Sequence, residues 1–270
     1  MRRIAFVFLI TVFSFSCNNP KQDDKSNKRE TYTPNIEYMV VKAHPHDVTS
    51  FTEGLLFHDN ELYESTGSPE NLSFTKSIFG RVDLSTGKLL KLGGLDKNKY
   101  FGEGISFLNG KLYQLTYQAQ SCFVYDAKSF EPIGKLRYEN KEGWGMTTDG
   151  ESLIMSDGTH VLTYIDPKGF RVTKKLKVTQ NGYLVDYLNE LEFVKGFIYA
   201  NVWTKNHIVK IDTANGHVVG ILDLEGLFLD AKSKNRYIDV MNGIAYNPVS
   251  GHLFVTGKMW PNIYELDFYH

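Results

Sequence analysis

The sequence has little of what several functional classes require. It has two cysteines among its 270 residues, and only Cys122 lies beyond the N-terminal segment, so an intramolecular disulfide in the rest of the chain is excluded. The formal net charge of −1 provides no basic field for nucleic acid. Phosphate-binding loops, G-x-S-x-G elbows and EF-hand spacings are also missing. We therefore expect no nucleic-acid partner, and none of these motifs identifies a reaction.

No hydrophobic run is long enough to cross a bilayer as a helix. Arg2 and Arg3 precede an apolar run over residues 4–15, which is shorter than the roughly 20 residues that a span requires. The run ends in the letters SFSC, and small residues before a cysteine resemble a bacterial lipoprotein signal. We predict that residues 1–17 are a signal peptide ending at Cys17, which becomes lipidated. The alternative is an ordinary secretory signal with an incidental cysteine.

The next segment has the composition of a linker. Residues 18–31 are dense in Lys, Asp, Asn and Arg, so they cannot bury enough apolar surface to order themselves and predict a flexible tether. The folded body is expected over residues 32–270 as one domain. Together these segments predict an exported protein of the cell envelope, either periplasm-facing or a surface lipoprotein. Its only contact with the membrane would be the lipid anchor, and a monomer is expected.

One short phrase returns five times along the body. Each copy reads as a short apolar strand, a turn built on Gly, Asn, Asp or Pro, and a second alternating strand. The copies begin at positions 53, 103, 144, 189 and 242, and intervals of this size are typical of four-stranded propeller blades. The copies are EGLLFHDNELYEST (53–66), EGISFLNGKLYQLTY (103–117), WGMTTDGESLIMSD (144–157), NELEFVKGFIYANVW (189–203) and NGIAYNPVSGHLFVTGK (242–258).

A second pair of strands follows each of the first four phrases around a tight turn. The fifth unit stops one strand short, and the segment 37–44 has no other partner. We predict an all-β, five-bladed β-propeller whose ring is closed by this N-terminal outer strand, which completes the last blade. An aspartate begins each of the four turns, where a short carboxylate accepts backbone N–H groups, so its repetition is interpreted as turn chemistry rather than catalysis. These residues are Asp83, Asp126, Asp166 and Asp212.

Polar and aromatic residues stand at the heads of the strands expected to line the central channel. The fold alone requires only small or apolar residues at these positions. The sequence instead has carboxylates, amides, an ammonium and large aromatic rings there, which indicates one composite pocket. The first strands are headed by Glu53, Glu103, Trp144, Asn189, Glu190 and Asn242, and the following strands by Tyr117, Trp203 and Lys258, while Phe51 and Phe101 stand two residues before their glutamates.

The order of these motifs resembles that of the glutaminyl cyclases of the plant and bacterial type. The motifs FTEGLLF, YFGEGISF, EGWGMTTDG, LNELEF and VMNGIAYNPVSGHLFVTGKMWP follow one another within residues 44–265. The resemblance implies a five-bladed propeller and an acyltransferase that converts the N-terminal glutamine of peptides or proteins into pyroglutamate with release of ammonia. It also implies that Glu103 is the acid/base, and that the substrate pocket contains Phe51, Phe101, Trp144, Asn189, Trp203 and Lys258.

Two positions depart from the family pattern. Where many relatives have FTQG this chain has Glu53, which places an additional acid near the site. Where many have a tryptophan it has Tyr117, a smaller ring of the same character. Both residues are predicted to contact the substrate, and Glu53 leaves the preference for substrate charge open.

Cyclisation itself requires such residues. The uncharged α-amine must attack the γ-carboxamide carbon of the same residue, and amide nitrogen leaves poorly unless it is protonated. One carboxylate that serves both proton transfers contributes ~10²–10⁴-fold, and we assign this role to Glu103. Lys258 and Asn189 are the candidate donors to the γ-carbonyl oxygen, and a compatible alternative for Lys258 is to neutralise a glutamate across the channel. We expect no cofactor in catalysis, while a structural calcium is compatible with the channel.

Other interpretations are open. A calcium-dependent lactonase or esterase-like propeller hydrolase would use hard oxygen ligands, and a non-catalytic binding propeller would use none, since fold does not determine function. Either glutamate is alternatively a cap for loop amides. The histidines of the segment 44–47 are interpreted as structural rather than as a zinc site, because they have no matched partners nearby. The calcium ligands of the hydrolase would be Glu53, Glu103, Asn189 and Asn242.

Overall fold

The computed structural model describes residues 32–269. The predicted signal peptide, its lipidation site Cys17 and the predicted tether over 18–31 lie outside the described residues. Within the described part, no helix is long and apolar enough to cross a membrane.

The described residues form 22 strands and one α-helix. In chain order the elements are β1 (Tyr38–Pro45), β2 (Thr52–His58), β3 (Glu61–Thr66), β4 (Ile78–Val82), β5 (Leu89–Gly94), β6 (Gly102–Leu108), β7 (Lys111–Thr116), β8 (Ser121–Asp126), β9 (Pro132–Arg137), β10 (Met146–Thr148), β11 (Leu153–Met155), β12 (Val161–Asp166), β13 (Arg171–Lys177), β14 (Thr179–Gln180), β15 (Tyr183–Leu184), β16 (Leu188–Val194), β17 (Phe197–Val202), β18 (His207–Asp212), β19 (Val218–Asp223), α1 (Glu225–Lys234), β20 (Met241–Tyr246), β21 (Leu253–Gly257) and β22 (Asn262–Phe268).

Five four-stranded antiparallel sheets form the blades of a propeller. The first four blades are β2–β5, β6–β9, β10–β13 and β16–β19, each in chain order. The innermost strands of the blades contact one another in sequence, and β20 contacts β2, so the ring closes. This arrangement confirms the predicted all-β, five-bladed fold.

The last blade is completed by the N-terminal strand. Its order is β1-β22-β21-β20, and β1 runs antiparallel to β22 with Tyr38 opposite Phe268 and Pro45 opposite Asn262. The pairing satisfies backbone groups along one side of β22 that would otherwise form an exposed sheet edge. The predicted closure by residues 37–44 is therefore confirmed.

Burial decreases from the channel outward. Every residue of β6 is buried, whereas most residues of the outer strands β9 and β13 are exposed. Inner strands contact neighbouring blades on both faces, which explains the short apolar runs of the repeat. Between the first and last blades, Leu55 and Leu62 pack with Phe254 and Ile263, and full burial of each such side chain stabilises the fold by about 1.5–3 kcal/mol.

The repeated aspartates hold turns, as predicted. Asp83 Oδ1 accepts the backbone N–H of Ser85 at 2.8 Å, and Asp212 Oδ1 accepts that of Ala214 at 2.9 Å. Hydrogen bonds from Ser85 and Thr86 lower the pKa of the exposed Asp83 to about 2. Asp126 and Asp166 accept the backbone N–H groups of Lys128 and Lys168 in the same way.

Two elements are not predicted by the repeat. The helix α1 lies between the fourth and fifth blades in the chain, and its buried residues Leu227 and Ala231 join the core cluster that contains Trp260. The hairpin of β14 and β15 links the third blade to the fourth in the chain. Both are insertions between blades and leave the five-bladed order unchanged.

Candidate active site

A cavity of about 490 Å³ contains residues from all five blades, a volume within the range of roughly 300–1,000 Å³ that is usual for small-molecule sites. It lies where the inner strands β2, β6 and β16 begin. Of the eleven residues expected in the composite pocket, nine line this cavity, and they include every residue predicted to catalyse the reaction or to contact the substrate. They are Phe51, Glu53, Phe101, Glu103, Tyr117, Trp144, Asn189, Trp203 and Lys258.

Antiparallel pairing explains why two sets of residues converge. Glu53 and Glu103 are the second residues of β2 and β6. Tyr117, Trp203 and Lys258 directly follow the last residues of β7, β17 and β21. These last three residues therefore follow the second strand of their blades. The prediction that they stand at the start of the next strand is wrong. They still reach the cavity, because the end of a second strand lies beside the start of its antiparallel first strand.

Irregular register at the start of the inner strands places the site residues. The pairing shifts between residues 52 and 54, 102 and 105, 188 and 191, and 241 and 244, and such bulges redirect side chains. At Gly104, an added Cβ would lie 2.5 Å from the backbone nitrogen of Met146. Glycine therefore lets β6 approach the third blade closely, and its N–H donates to the Trp144 carbonyl at 2.8 Å.

A buried ion pair joins the first and last blades at the base of the cavity. Lys258 Nζ donates to Glu53 Oε1 at 2.7 Å, and both side chains are almost fully buried. Asn242 Nδ2 donates to Glu53 Oε2 at 3.1 Å and to the Thr52 carbonyl at 3.0 Å. The ammonium also lies 4.5 Å from the ring centroid of Phe51, a cation–π contact. Glu53 is thus held on both carboxylate oxygens.

Glu103 lies beside this ion pair and has a different electrostatic environment. Both glutamates line the cavity, and Ser65 Oγ donates to the backbone carbonyl of Glu103. Burial raises the pKa of Glu53 to about 7, although Lys258 opposes the shift. Burial, and then the negative charge of Glu53, raise the pKa of Glu103 well above its ordinary value. The cavity therefore holds two buried acids with strongly perturbed protonation, which is characteristic of functional sites.

Aromatic rings form the walls of the cavity. The rings of Phe51 and Phe101 meet edge to face with centroids 6.2 Å apart, and Tyr117 follows at 6.0 Å from Phe101. The rings of Trp144 and Trp203, which also line the cavity, meet edge to face with centroids 6.0 Å apart. Trp203 is 40% exposed, so this part of the cavity lining reaches solvent.

Comparison with known proteins identifies the relatives of this architecture. The family described as Glutamine cyclotransferase matches residues 9–268. The chain belongs to the glutamine cyclotransferase family. It is 41% identical over 232 residues to the glutaminyl-peptide cyclotransferase of Arabidopsis thaliana, covering 85% of this chain and 71% of that relative. Its fold is similar to the crystal structure of Myxococcus xanthus glutaminyl cyclase, with a TM-score of 0.78, 32% identity, and coverage of 88% of this chain and 98% of the other.

The family membership confirms the resemblance stated from the motifs, and it makes this chain an enzyme of the acyltransferase class. The matched region includes all nine predicted site residues. The propeller and the cavity described above therefore belong to a member of this family.

The cyclotransferase cavity contains residues that the sequence analysis missed. Glu142 accepts hydrogen bonds from Trp144 Nε1 at 2.9 Å and from Gln118 at 3.0 Å, so it fixes one wall. Tyr187 has φ +67°, an unusual value for a bulky residue, and its ring centroid lies 5.8 Å from that of Trp203. Glu142 stands two residues before Trp144 in the motif EGWGM, which was an available signal, whereas no sequence signal identified Tyr187. The other missed lining residues are Pro69, Asp157, Gly158 and Thr159.

Two residues that were expected at the start of inner strands, Glu190 and Asn242, do not line the cavity. Glu190 accepts the backbone N–H groups of Leu55 at 3.3 Å and Ile244 at 2.7 Å, so it joins three blades through their inner strands. Asn242 lies behind Glu53 as described. Both act on the backbone or on another side chain, and their expected place in the pocket is wrong.

The ligand set of the rival calcium hydrolase does not fit the geometry. Glu53 is paired with an ammonium, and Asn242 presents N–H rather than oxygen to it, so the four groups do not converge as oxygen ligands. Within residues 32–269, no group of three or more His, Cys, Asp and Glu side chains has metal-binding geometry. His44 and His46 bind separate carboxylates, Glu265 at 2.8 Å and Glu64 at 3.1 Å, which supports a structural role for both.

Proposed function

We propose that this protein converts the N-terminal glutamine of peptides and proteins into pyroglutamate and releases ammonia, with Glu103 as the general acid/base. The observation that carries the proposal is the Glu103 carboxyl, which is buried beside Lys258 in an aromatic cavity. The names of the Arabidopsis and Myxococcus proteins support the same reaction. The remaining features of the cavity give each step a physical basis.

Glu103 is suited to move the proton between the two nitrogens of the substrate. The α-amine has an ordinary pKa of about 7.7–8.0, so a large fraction of substrate arrives protonated and must lose a proton before attack. Once the new C–N bond forms, the amide nitrogen leaves as ammonia only after gaining a proton. A carboxyl within reach of both nitrogens performs both transfers and contributes ~10²–10⁴-fold.

Lys258 and Asn189 are suited to stabilise the oxygen of the tetrahedral intermediate. An ammonium has three N–H donors, so Lys258 keeps donors for the substrate while it binds Glu53 at 2.7 Å. The Asn189 side chain lines the same cavity, and its amide Nδ2 is the atom that can donate to the substrate, because Oδ1 only accepts. Donors aimed at a developing negative charge act strongly in a buried site.

The aromatic walls are suited to hold the glutamine in a reactive shape. The reaction is intramolecular, so confining the side chain supplies a large part of the rate enhancement. The rings of Phe51, Phe101, Trp144 and Trp203 would exclude water around it, and the exposed edge of Trp203 leaves room for the following residues of the peptide.

A mass-spectrometric assay tests the proposal. The full chain is incubated with a short peptide that begins with glutamine, and with an N-acetylated control that lacks the attacking amine. We expect loss of ammonia from the free peptide alone, with or without chelator, because the proposed steps use side chains and no metal. Glu103→Gln should abolish turnover. Glu192→Gln should not, because Glu192 is a buried acid that does not line the cavity. Turnover by Glu103→Gln at the wild-type rate would remove Glu103 from its role.

We also propose that the protein is exported, anchored by a lipid at Cys17 and active as a monomer in the cell envelope, as its N-terminal sequence predicts. The variant Cys17→Ala should move the protein from the membrane fraction to the soluble fraction without changing the specific activity. An unchanged distribution would contradict the anchor.

A further inference from the structure

Two acids of the cavity lining have no cation as a partner. The charged residues of the lining are Glu53, Glu103, Glu142, Asp157 and Lys258. Lys258 is the only cation among these described lining residues, and its ammonium is bound to Glu53 at 2.7 Å. Within residues 32–269, Glu142 and Asp157 accept hydrogen bonds from neutral groups alone. The lining therefore has an excess of negative charge that the protein does not neutralise.

Glu142 is held in place by two neutral donors. Its Oε1 accepts from Gln118 Nε2 at 3.0 Å, and its Oε2 accepts from the indole N–H of Trp144 at 2.9 Å. Accepting on both oxygens is the pattern of an ionised carboxylate, which offers about four acceptor sites. One bond to each oxygen leaves sites free for a further donor.

Asp157 is fixed in the same way. Its Oδ1 accepts from the backbone N–H and the hydroxyl of Thr159, at 3.1 and 2.6 Å. Its Oδ2 accepts from Asn140 Nδ2 at 2.8 Å, so this oxygen also keeps an acceptor site. Both carboxylates are thus positioned before a substrate binds, which reduces the entropy that binding costs.

The indole of Trp144 contacts the segments that supply both acids. Its N–H is bound to Glu142, and a Cβ added at Gly158, the neighbour of Asp157, would lie 2.7 Å from its Cζ2 atom. Both acids are partly exposed, whereas Glu103 is 5% exposed. The chain that follows a glutamine bound at Glu103 has to reach solvent, so it passes along this more exposed part of the lining.

The two buried glutamates do not set the charge of this part of the lining. The charge of Glu53 is compensated by Lys258 inside the protein, so the additional acid at this position leaves no unpaired charge for a substrate. Burial raises the pKa of Glu103 well above its ordinary value, and a protonated carboxyl has no charge. Glu142 and Asp157 provide the negative excess whether or not Glu103 is ionised.

We propose that the enzyme prefers peptides in which a basic residue directly follows the N-terminal glutamine, and that Glu142 and Asp157 select this residue. The inference rests on the proposed cyclase function and adds the class of substrate. A guanidinium has five N–H donors in a planar fork, which can occupy the free acceptor sites of the two carboxylates. An acidic residue at the same place is repelled, so attraction and repulsion both contribute to selection.

The partial exposure of the two acids sets the size of the effect. Exposed ion pairs contribute free energies that convert to about 1.4- to 5-fold in a binding constant. With about two- to threefold for each acid, kcat/KM should be about fivefold higher for a basic residue than for an uncharged residue of the same shape. The preference should weaken at high salt, because the screening length falls from about 10 Å at 0.1 M to about 3 Å at 1 M.

Isosteric peptides provide the test. Amidated peptides that differ only in the residue after glutamine, arginine or its uncharged isostere citrulline, are compared in low salt. In wild type we expect kcat/KM to be about fivefold higher for arginine. The variants Glu142→Gln and Asp157→Asn should each lower this ratio by about two- to threefold, and the double variant should bring it close to one. A change in activity common to both peptides cancels in the ratio.

Glu139→Gln is the matched control. Glu139 is exposed, stands three residues before Glu142 and does not line the cavity, so its replacement makes the same change in net charge away from the site. This variant should keep the wild-type ratio. A wild-type ratio of about one would overturn the proposal, as would an equal loss of the ratio in Glu139→Gln and Glu142→Gln. If a lining variant does not fold, the wild-type ratio and its fall at high salt remain decisive.

The same peptides separate this inference from the cyclase function. Release of ammonia from both peptides at equal rates would overturn the selection of charge and leave the function intact. No release from either peptide would overturn the function. In that case, calorimetric binding of the two peptides to the full chain still tests the selection, with about fivefold tighter binding expected for arginine and equal binding contradicting it.

Discussion

Glu192 should make the protein less stable as pH rises, and Glu192→Gln should remove that dependence. Its carboxyl accepts the backbone N–H of Tyr246 at 2.8 Å and lies near Thr147 Oγ1 at 3.5 Å. No cation is bound to it in residues 32–269. Burial raises its pKa from 4.5 to about 8, so the folded state binds a proton that the unfolded state has already lost. The stabilisation is present below about pH 4.5 and is lost progressively up to about pH 8.

The magnitude follows from that shift. Each pKa unit corresponds to about 1.4 kcal/mol, and integration between pH 5 and pH 8 gives a loss of roughly 3 to 4 kcal/mol from Glu192 alone. Glutamine keeps the acceptor for Tyr246 and cannot ionise. Urea unfolding at both pH values should therefore show little difference between wild type and variant at pH 5, and a variant more stable by roughly 3 kcal/mol at pH 8. An equal difference at the two pH values would refute the reasoning.

Three further predictions concern single side chains. Lys258→Met should lower kcat by about 10²–10³-fold in steady-state assays because a donor to the oxyanion is lost, and an unchanged kcat would exclude that role. Trp203→Ala should raise KM for glutamine peptides while the free energy of unfolding, measured with urea, changes by no more than about 0.5 kcal/mol, as for surface substitutions. An unchanged KM would contradict contact with the substrate. Cys122 should resist thiol reagents until the protein unfolds, because burial raises the pKa of its thiol, and rapid labelling of folded protein would contradict this.

The fold could be predicted because its signals are local. Each blade repeats a strand, a turn and a strand within about 50 residues, and an aspartate such as Asp83 binds backbone groups only two residues away. The closure of the ring was predictable by counting, since one strand was missing at one end and one was unpaired at the other. Helix α1 has no such signal. Its buried residues Leu227 and Ala231 are too few to produce a strong helical periodicity.

The contents of the cavity were predictable from position along the repeat, but the interactions among them were not. Residue type alone does not distinguish Trp144, Trp203 and Trp260. Only the first two occupy positions of the repeat at the channel mouth. Trp260 is fully buried in a core cluster. Which residues pair is a tertiary property. Glu53 and Lys258 are separated by 205 residues, and the sequence offered neutralisation of a glutamate by Lys258 only as an alternative.

The site depends on closure of the ring more than on any one blade. Glu103 comes from the second blade and Glu53 from the first, whereas the groups that keep Glu53 ionised, Lys258 and Asn242, come from the last. Both donors favour the ionised form of Glu53, and the charge of Glu53, after burial, raises the pKa of Glu103. The last blade in turn is completed by β1, the first strand of the chain. The pairing of the two ends of the propeller therefore completes the blade that supplies both donors to Glu53.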